Sequence, residues 1–191
     1  MRGVPLYGTM VGVEFLNQTV AGVIEFPALG ERIWGAPTVG ALHQVADAPP
    51  QEARVSTVAT LGQACVATTS PQYFSRAGKP HLFHTLEQSF GTVRGWSDCY
   101  AFLLLATGRI DAAVEPLVKV WDLAAAQAVV EAAGGTFTDL DGVTGSAGGS
   151  CLATNGFLHA EALRALACPP SGPASPDGAN QPATRHNFFA K

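Results

Sequence analysis

The segment VWDLAAAQAVVEAAGG, Val120 to Gly135, has the pattern of a helix around which the rest of the chain is organised. Its apolar residues recur every three to four positions and predict one buried face, formed by Leu123, Ala126, Val130 and Ala133. Gln127 and Glu131 are expected on the opposite side. Gly134 and Gly135 are expected to end the helix.

Asp122 stands at the start of this helix and has two interpretations. Its carboxylate can accept hydrogen bonds from backbone N–H groups and favours the positive helix end, which is the common role of such an aspartate. A carboxylate is also the ligand type that Mg²⁺ takes in proteins. The helical pattern alone leaves both open.

The composition predicts one globular domain followed by a tail. The 191 residues are 47% hydrophobic and 14% charged, enough to bury a sizeable core. A net charge of −4 with only 11 Lys and Arg argues against nucleic acid as a partner. The longest strongly apolar run, Tyr100–Ala106, is far shorter than the roughly 20 residues that cross a bilayer, so we expect no membrane partner and a cytoplasmic location.

The N-terminal region predicts an antiparallel meander over residues 8–36. Gly8–Phe15 and Val20–Phe26 are rich in Val, Ile and Phe and predict a hairpin, and Glu31–Ala36 predicts a third strand. Ala36–Pro50 is expected to be mostly loop, because Pro49 and Pro50 cannot continue a helix.

From residue 64 to residue 168, predicted strands and helices alternate. The strands are expected at Ala64–Thr69, Thr92–Arg94, Ile110–Glu115, Thr136–Leu140 and Ser150–Thr154. The helices are expected after Ser70 and at Leu82–Phe90, Cys99–Thr107 and Phe157–Cys168, besides the central one. This alternation predicts an α/β layered fold. Residues 169–191, rich in Pro, Gly and Ser, predict a disordered tail.

Several other residues that could form a site are better explained by an ordinary structural role. Four scattered cysteines, Cys65, Cys99, Cys151 and Cys168, form no Cys-x-x-Cys pair and are expected to be free thiols. Asp139-Leu-Asp141-Gly142 predicts an ordinary turn rather than a calcium loop. His81 and His84 lack the companions of a zinc site. Trp121 is expected to pack in the core, and His43, His159 and His186 carry no signal.

A longer stretch, GWSDCYAFLLLATGRIDAAVEP from Gly95 to Pro116, continues into the central helix. Together they resemble the C-terminal signature of the inositol monophosphatase family, in particular its histidinol-phosphate phosphatase branch. RGVPLYG (Arg2 to Gly8) and GGSCLATNG (Gly148 to Gly156) extend the resemblance. It implies a layered αβαβα sandwich shared with fructose bisphosphatases, a homodimer, and Mg²⁺-dependent hydrolysis of a small phosphorylated metabolite.

The resemblance also implies site residues. Asp122 matches a magnesium ligand, and Glu115 matches a residue that contacts the alcohol half of the substrate. The remaining substrate-binding candidates form a rim: Arg94, Ser97, Asp98 and Cys99. Asp98 would attract a cationic ligand such as the amine and imidazole of histidinol phosphate. Alternatively, Asp98 caps the helix beginning at Cys99, Glu115 is a surface glutamate, and Arg94 is solvated.

One departure from the family pattern limits what this resemblance implies. The family's other metal carboxylates lie in an upstream Glu and an Asp-Pro-Ile-Asp-Gly-Thr motif before a segment like RGVPLYG, where this sequence begins. Residues 1–168 are therefore expected to form a partial phosphatase domain, lacking the N-terminal helices and the first metal motif, with Met1 a truncated or mis-assigned start. We identify no catalytic residue and expect weak or no activity. The alternative is a non-catalytic remnant that acts as a dimerisation partner of a full-length phosphatase.

Overall fold

The computed structural model describes residues 3–16, 18–96, 98–145 and 147–167. The strands within these ranges are β1 (Thr9–Phe15), β2 (Gln18–Phe26), β3 (Glu31–Ala36), β4 (Gly40–Val45), β5 (Gln51–Ala53), β6 (Cys65–Ala67), β7 (Thr92–Arg94), β8 (Ala112–Glu115), β9 (Thr136–Thr138) and β10 (Cys151–Thr154). The α-helices are α1 (Pro71–Arg76), α2 (Pro80–Ser89), α3 (Tyr100–Ala106), α4 (Val120–Ala132) and α5 (His159–Ala167). The predicted tail and Cys168 lie outside the described residues.

The first five strands form an antiparallel sheet in sequence order, β1 to β5, which confirms the predicted meander. The prediction of a loop over residues 36–50 is wrong, because β4 pairs with β3 from Ala36↔Gly40 to Glu31↔Val45. Pro49 and Pro50 fall between β4 and β5, so they bar a helix without interrupting either strand.

The second sheet has the order β7-β6-β8-β10-β9. β6 runs parallel to both β7 and β8, whereas β10 is antiparallel to β8 and β9. The parallel pairs require the crossover helices that the sequence predicts between them. This sheet is therefore the α/β part of the molecule.

The elements stack in four layers, in the order sheet, helices, sheet, helices. On β8, Ala113 packs with α3, α4 and the first sheet, whereas Ala112 and Val114 pack with α2 and α5. The inner strands β6, β8 and β10 thus have apolar layers on both faces, which explains their continuous small apolar residues. The layers match those predicted from the αβαβα sandwich, without a helix layer outside the first sheet in the described part of the chain.

Helix α4 lies between the two sheets and touches the first through glycines. A Cβ atom added at Gly12 or Gly22 would lie 2.6 Å from backbone atoms of Ala125. The predicted polar side of this helix is wrong, since Gln127 is only 5% exposed. Its amide accepts a hydrogen bond from Thr19 Oγ1 (3.2 Å) and donates one to Glu131 (3.0 Å). A helix packed between two sheets has no open side, and these two bonds satisfy the buried amide.

A buried carboxylate joins the first sheet to α3. Glu31 accepts hydrogen bonds from Arg109 Nη2 at 2.6 Å and from the hydroxyl of Tyr100 at 3.2 Å, and lies 2.8 Å from His43 Nε2. Burial raises the pKa of Glu31, but the bonds with Arg109 and His43 outweigh it, so that the pKa lies below 4.5. The network therefore stabilises the ionised form.

The thiols of Cys65, Cys99 and Cys151 are free, as predicted. Among the described residues, no helix has both the length and the apolar character needed to span a bilayer.

Candidate functional site

The order of the parallel strands creates a crevice at their carboxyl ends. From β6, which lies between β7 and β8, the chain crosses to β7 on one side and later to β8 on the other. Open α/β sheets bind ligands at such a switch point, where the connections diverge. Thr69 follows β6, Asp98 follows β7 and Glu115 ends β8, so three polar residues are brought to this edge.

A cavity of about 320 Å³ lies at this edge. It is lined by Gly8, Met10, Thr69, Tyr73, Asp98, Cys99, Phe102, Glu115, Leu117, Val118 and Asp122. The structure therefore brings together four of the six residues that the sequence predicts for the site. Three of these are carboxylates, and the described lining contains no Lys, Arg or His side chain.

Glu115 is a buried residue of this cavity, so its interpretation as a surface glutamate is wrong. Its Oε1 atom accepts hydrogen bonds from the backbone N–H of Thr69 at 2.6 Å and from the Thr69 hydroxyl at 3.0 Å. Burial raises the pKa of Glu115 to about 7, against these two bonds, and the negative charge of Asp98 adds to the rise. At neutral pH this carboxyl group is thus poised between its protonated and ionised forms.

Asp98 and Cys99 lie side by side in the turn between β7 and α3. Asp98 has a φ of 42°, a left-handed conformation that Asp adopts more readily than most residues. Helix α3 begins at Tyr100, so Cys99 rather than Asp98 occupies the position before it. Burial raises the pKa of the Cys99 thiol to about 11, and Asp98 adds to this, so the thiol lines the cavity in its neutral form.

Asp122 is the third residue of α4. Its Oδ2 atom accepts a hydrogen bond from the backbone N–H of Lys119 at 2.9 Å, so the carboxylate helps to cap the helix from within its first turn. It lines the cavity at the same time. The prediction that Trp121 packs in the core is wrong: the side chain is 71% exposed, because the first turn lies at the surface and burial begins at Leu123.

The two remaining predicted site residues are not placed in the cavity. Arg94 is exposed at the end of β7, and its Nη1 atom donates to the carbonyl of Val93 at 2.9 Å. It is absent from the cavity lining. Ser97 lies outside the described residues.

The described residues contain no group of three or more His, Cys, Asp or Glu side chains that could hold a metal ion. Asp122 fits a single ligand position for Mg²⁺, which usually takes one or two carboxylates and completes its shell with water and phosphate oxygens. His84 instead lies 3.2 Å from Glu87. Asp139 holds the predicted turn by accepting from the N–H groups of Asp141 and Val143.

Sequence reasoning misses several residues. Thr69 and Tyr73 line the cavity, and the signal that could find them is a predicted strand ending just before a helix start. His159, which carries no signal in the sequence, is buried between the hydroxyls of Thr138 and Thr154, 3.1 Å from each. Burial lowers its pKa, so the neutral imidazole belongs to the core.

Comparison with known proteins places these features in a family. The pattern of the inositol monophosphatase family matches residues 1–169. A histidinol-phosphatase of Mycobacterium tuberculosis is 41% identical over 166 residues, which are 87% of this chain and 64% of the relative. A histidinol-phosphatase of Streptomyces coelicolor is 35% identical, over 85% of this chain and 63% of the relative.

Solved structures show the same architecture. An inositol monophosphatase from Zymomonas mobilis superposes with a TM-score of 0.78 at 27% identity, over 87% of this chain and 64% of that one. The chain thus spans somewhat under two thirds of the length of these relatives. On its sequence match and its fold, the chain belongs to the inositol monophosphatase family.

Proposed function

We propose that this chain provides the substrate pocket and one metal ligand of a Mg²⁺-dependent phosphomonoesterase of the histidinol-phosphate or inositol-phosphate type. The observation that supports it is the single cavity that gathers Asp98, Glu115 and Asp122 at the switch point of the second sheet. The names of the relatives, histidinol-phosphatase above all, agree with this class of reaction.

Each carboxylate has a distinct part in the proposed site. Asp122 would supply one oxygen ligand to Mg²⁺, which when bound lowers the pKa of an attacking water and neutralises phosphate charge. Glu115, fixed by Thr69, would hold the alcohol half of the substrate by hydrogen bonds. Asp98 would add a negative charge at the rim, beside the neutral thiol of Cys99.

Among these substrates we favour a phosphomonoester with a cationic alcohol half, such as histidinol phosphate. The described lining has three carboxylates and no basic side chain, so it attracts a cation and gives a neutral polyol no comparable charge pairing. Ser97 and Arg94 remain proposed rim residues, the latter reaching substrate only by leaving its bond to Val93.

We further propose that turnover by this chain alone is weak or absent. Two-metal phosphate chemistry needs several converging oxygen ligands, and the described residues offer Asp122 without a cluster of three. This same observation favours a second candidate function, a non-catalytic chain that assembles with a full-length phosphatase.

Phosphate release from histidinol phosphate, measured with and without added Mg²⁺, tests the first proposal. We expect any turnover to be weak, to depend on Mg²⁺, and to be lost in Asp122→Asn but kept in Asp141→Asn, an exposed aspartate outside the cavity. Equal rates in Asp122→Asn and the parent chain would refute the metal role. Absence of both turnover and a Mg²⁺-dependent thermal shift would favour the non-catalytic alternative.

The homodimer that the family resemblance implies and the cytoplasmic location expected from the short apolar runs of the sequence are also proposals. Sedimentation equilibrium of the purified chain tests the dimer directly. A mass equal to one chain across the micromolar range would contradict it.

A further inference from the structure

Tyr73 is a cavity residue whose hydrogen-bonding capacity is not used by its surroundings. The side chain is half-buried and lines the same cavity as Glu115 and Asp98. Among the described residues, its hydroxyl has no hydrogen-bond partner, so its donor and acceptor capacity is left to water or to a ligand. A ligand in the cavity is the natural partner for this group.

The backbone of Tyr73 is fixed, which sets the position from which its side chain reaches the cavity. Ser70 caps α1 by accepting from the N–H of Gln72 at 3.2 Å, and the carbonyl of Tyr73 accepts from Ala77 at 2.9 Å. The neighbouring Phe74 is fully buried, with its ring 5.6 Å from that of Phe83. The helix is therefore anchored by its buried face while Tyr73 borders the cavity.

The start of α1 is also tied to the carboxylate that faces the substrate. Thr69, four residues before Tyr73, donates both of its polar hydrogens to Glu115. The other aromatic residue of the cavity, Phe102, is only 3% exposed and packs against Phe137 at 6.2 Å. Tyr73 is thus the aromatic side chain of the described lining with surface left to offer.

We propose that Tyr73 is a specificity-determining residue that binds the planar, cationic part of the substrate's alcohol half, in the cavity that it lines together with Asp98 and Glu115. This inference rests on the proposed function of the same cavity. A cation over a tyrosine ring is attracted by its π face, and the hydroxyl can accept a hydrogen bond from an imidazole or amine N–H. The guanidinium carbon of Arg76 lies 5.4 Å from the ring centroid, so the ligand cation would displace Arg76 or use the opposite face of the ring.

Ligand binding without turnover tests the proposal, so the result does not depend on catalytic activity. The full chain is titrated by calorimetry with histidinol and, separately, with inositol, in the presence of Mg²⁺. We expect histidinol to bind and its affinity to fall about tenfold in Tyr73→Leu and in Tyr73→Gln, while Tyr73→Phe loses about threefold because it keeps the ring. Inositol affinity should change by less than about twofold in all three variants, since a polyol gains little from a π face.

Tyr7 provides the matched control, because it is an exposed tyrosine outside the cavity lining. Tyr7→Leu should bind histidinol as the parent chain does. Failure of the parent chain to bind histidinol overturns the proposal, as does equal affinity in the parent and both non-aromatic variants. Histidinol binding that depends on Tyr73, in a chain that shows neither turnover nor a Mg²⁺-dependent thermal shift, would uphold this inference and count against the metal role in the proposed function.

Discussion

Replacing Glu115 by Gln should make the stability of the protein less dependent on pH. The parent glutamate is buried, and burial raises its pKa from the ordinary value of 4.5 to about 7. Its protonated form therefore stabilises the folded state, and this contribution is complete below pH 4.5 and lost as the pH rises towards 7. The glutamine side chain of the variant cannot ionise, and its amide oxygen can accept the same two hydrogen bonds from Thr69.

The magnitude follows from the two pKa values. Each pKa unit corresponds to about 1.4 kcal/mol, so ionised Glu115 lowers the free energy of unfolding by about 3 kcal/mol above pH 7. The free energy of unfolding of Glu115→Gln should therefore exceed that of the parent by under about 1 kcal/mol at pH 5 and by about 3 kcal/mol at pH 8. Comparing the two chains at each pH cancels the contribution of other titrating groups, such as His159.

Urea unfolding followed by tryptophan fluorescence, with a chelator present to exclude metal binding, measures this difference. Glu161→Gln serves as a control, because Glu161 is exposed in the first turn of α5 and outside the cavity. A constant gap between Glu115→Gln and the parent across this pH range would refute the reasoning. It would mean that Glu115 ionises as freely as a surface carboxylate.

Three further predictions concern the packing and the buried polar groups. Gly22→Ala should lower the free energy of unfolding, measured by urea titration, by about 2 kcal/mol, because the added Cβ would lie 2.6 Å from the carbonyl oxygen of Ala125. Gly62→Ala is the control and should be neutral, because a Cβ at Gly62 has no neighbour within 4 Å. Arg109→Met should lower the free energy of unfolding by about 1–3 kcal/mol, because it leaves buried Glu31 without its shortest hydrogen bond. Thermal unfolding measures this loss, and the control Arg54→Met, which removes an exposed ion pair with Glu52, should change the stability little. The parent protein should lose stability as the pH falls below about 6.5, because the lowered pKa of His159 keeps the folded imidazole neutral while the unfolded one takes up a proton. His159→Gln should reduce this loss. Equal pH profiles of stability in the variant and the parent would contradict the prediction.

Sequence patterns correctly predict those helices and strands that are specified by their own residues rather than by distant neighbours. Glu31–Ala36 forms β3 with the predicted bounds, and the predicted helix start at Ser70 is the cap of α1. The strand β4 is not predicted, because its sequence GALHQV has little alternation of apolar and polar residues. It is stabilised instead by pairing with β3. Gln127 is wrongly predicted on a polar side because a helix between two sheets cannot be told from an amphipathic surface helix by one polar position.

The site is predictable only as far as the family pattern reaches. That pattern points to Asp98, Cys99, Glu115 and Asp122, which the structure brings to one cavity. It does not point to Thr69 or Tyr73, because their position depends on β6 lying between β7 and β8, a neighbourhood set by residues far apart in the chain. Strand order is a property of the folded sheet, and no local periodicity encodes it.

The electrostatics of the cavity follow from this same strand order. β8 is buried along its whole length between two helix layers, and Glu115 is its last residue, so the carboxylate is withdrawn from water wherever its side chain turns. Thr69, which follows the neighbouring strand β6, supplies the donors to this carboxylate. A glutamate in the same sequence but at a sheet edge would ionise freely. The raised pKa of Glu115 therefore results mainly from the strand order, which buries the side chain, and to a lesser extent from the residues beside it.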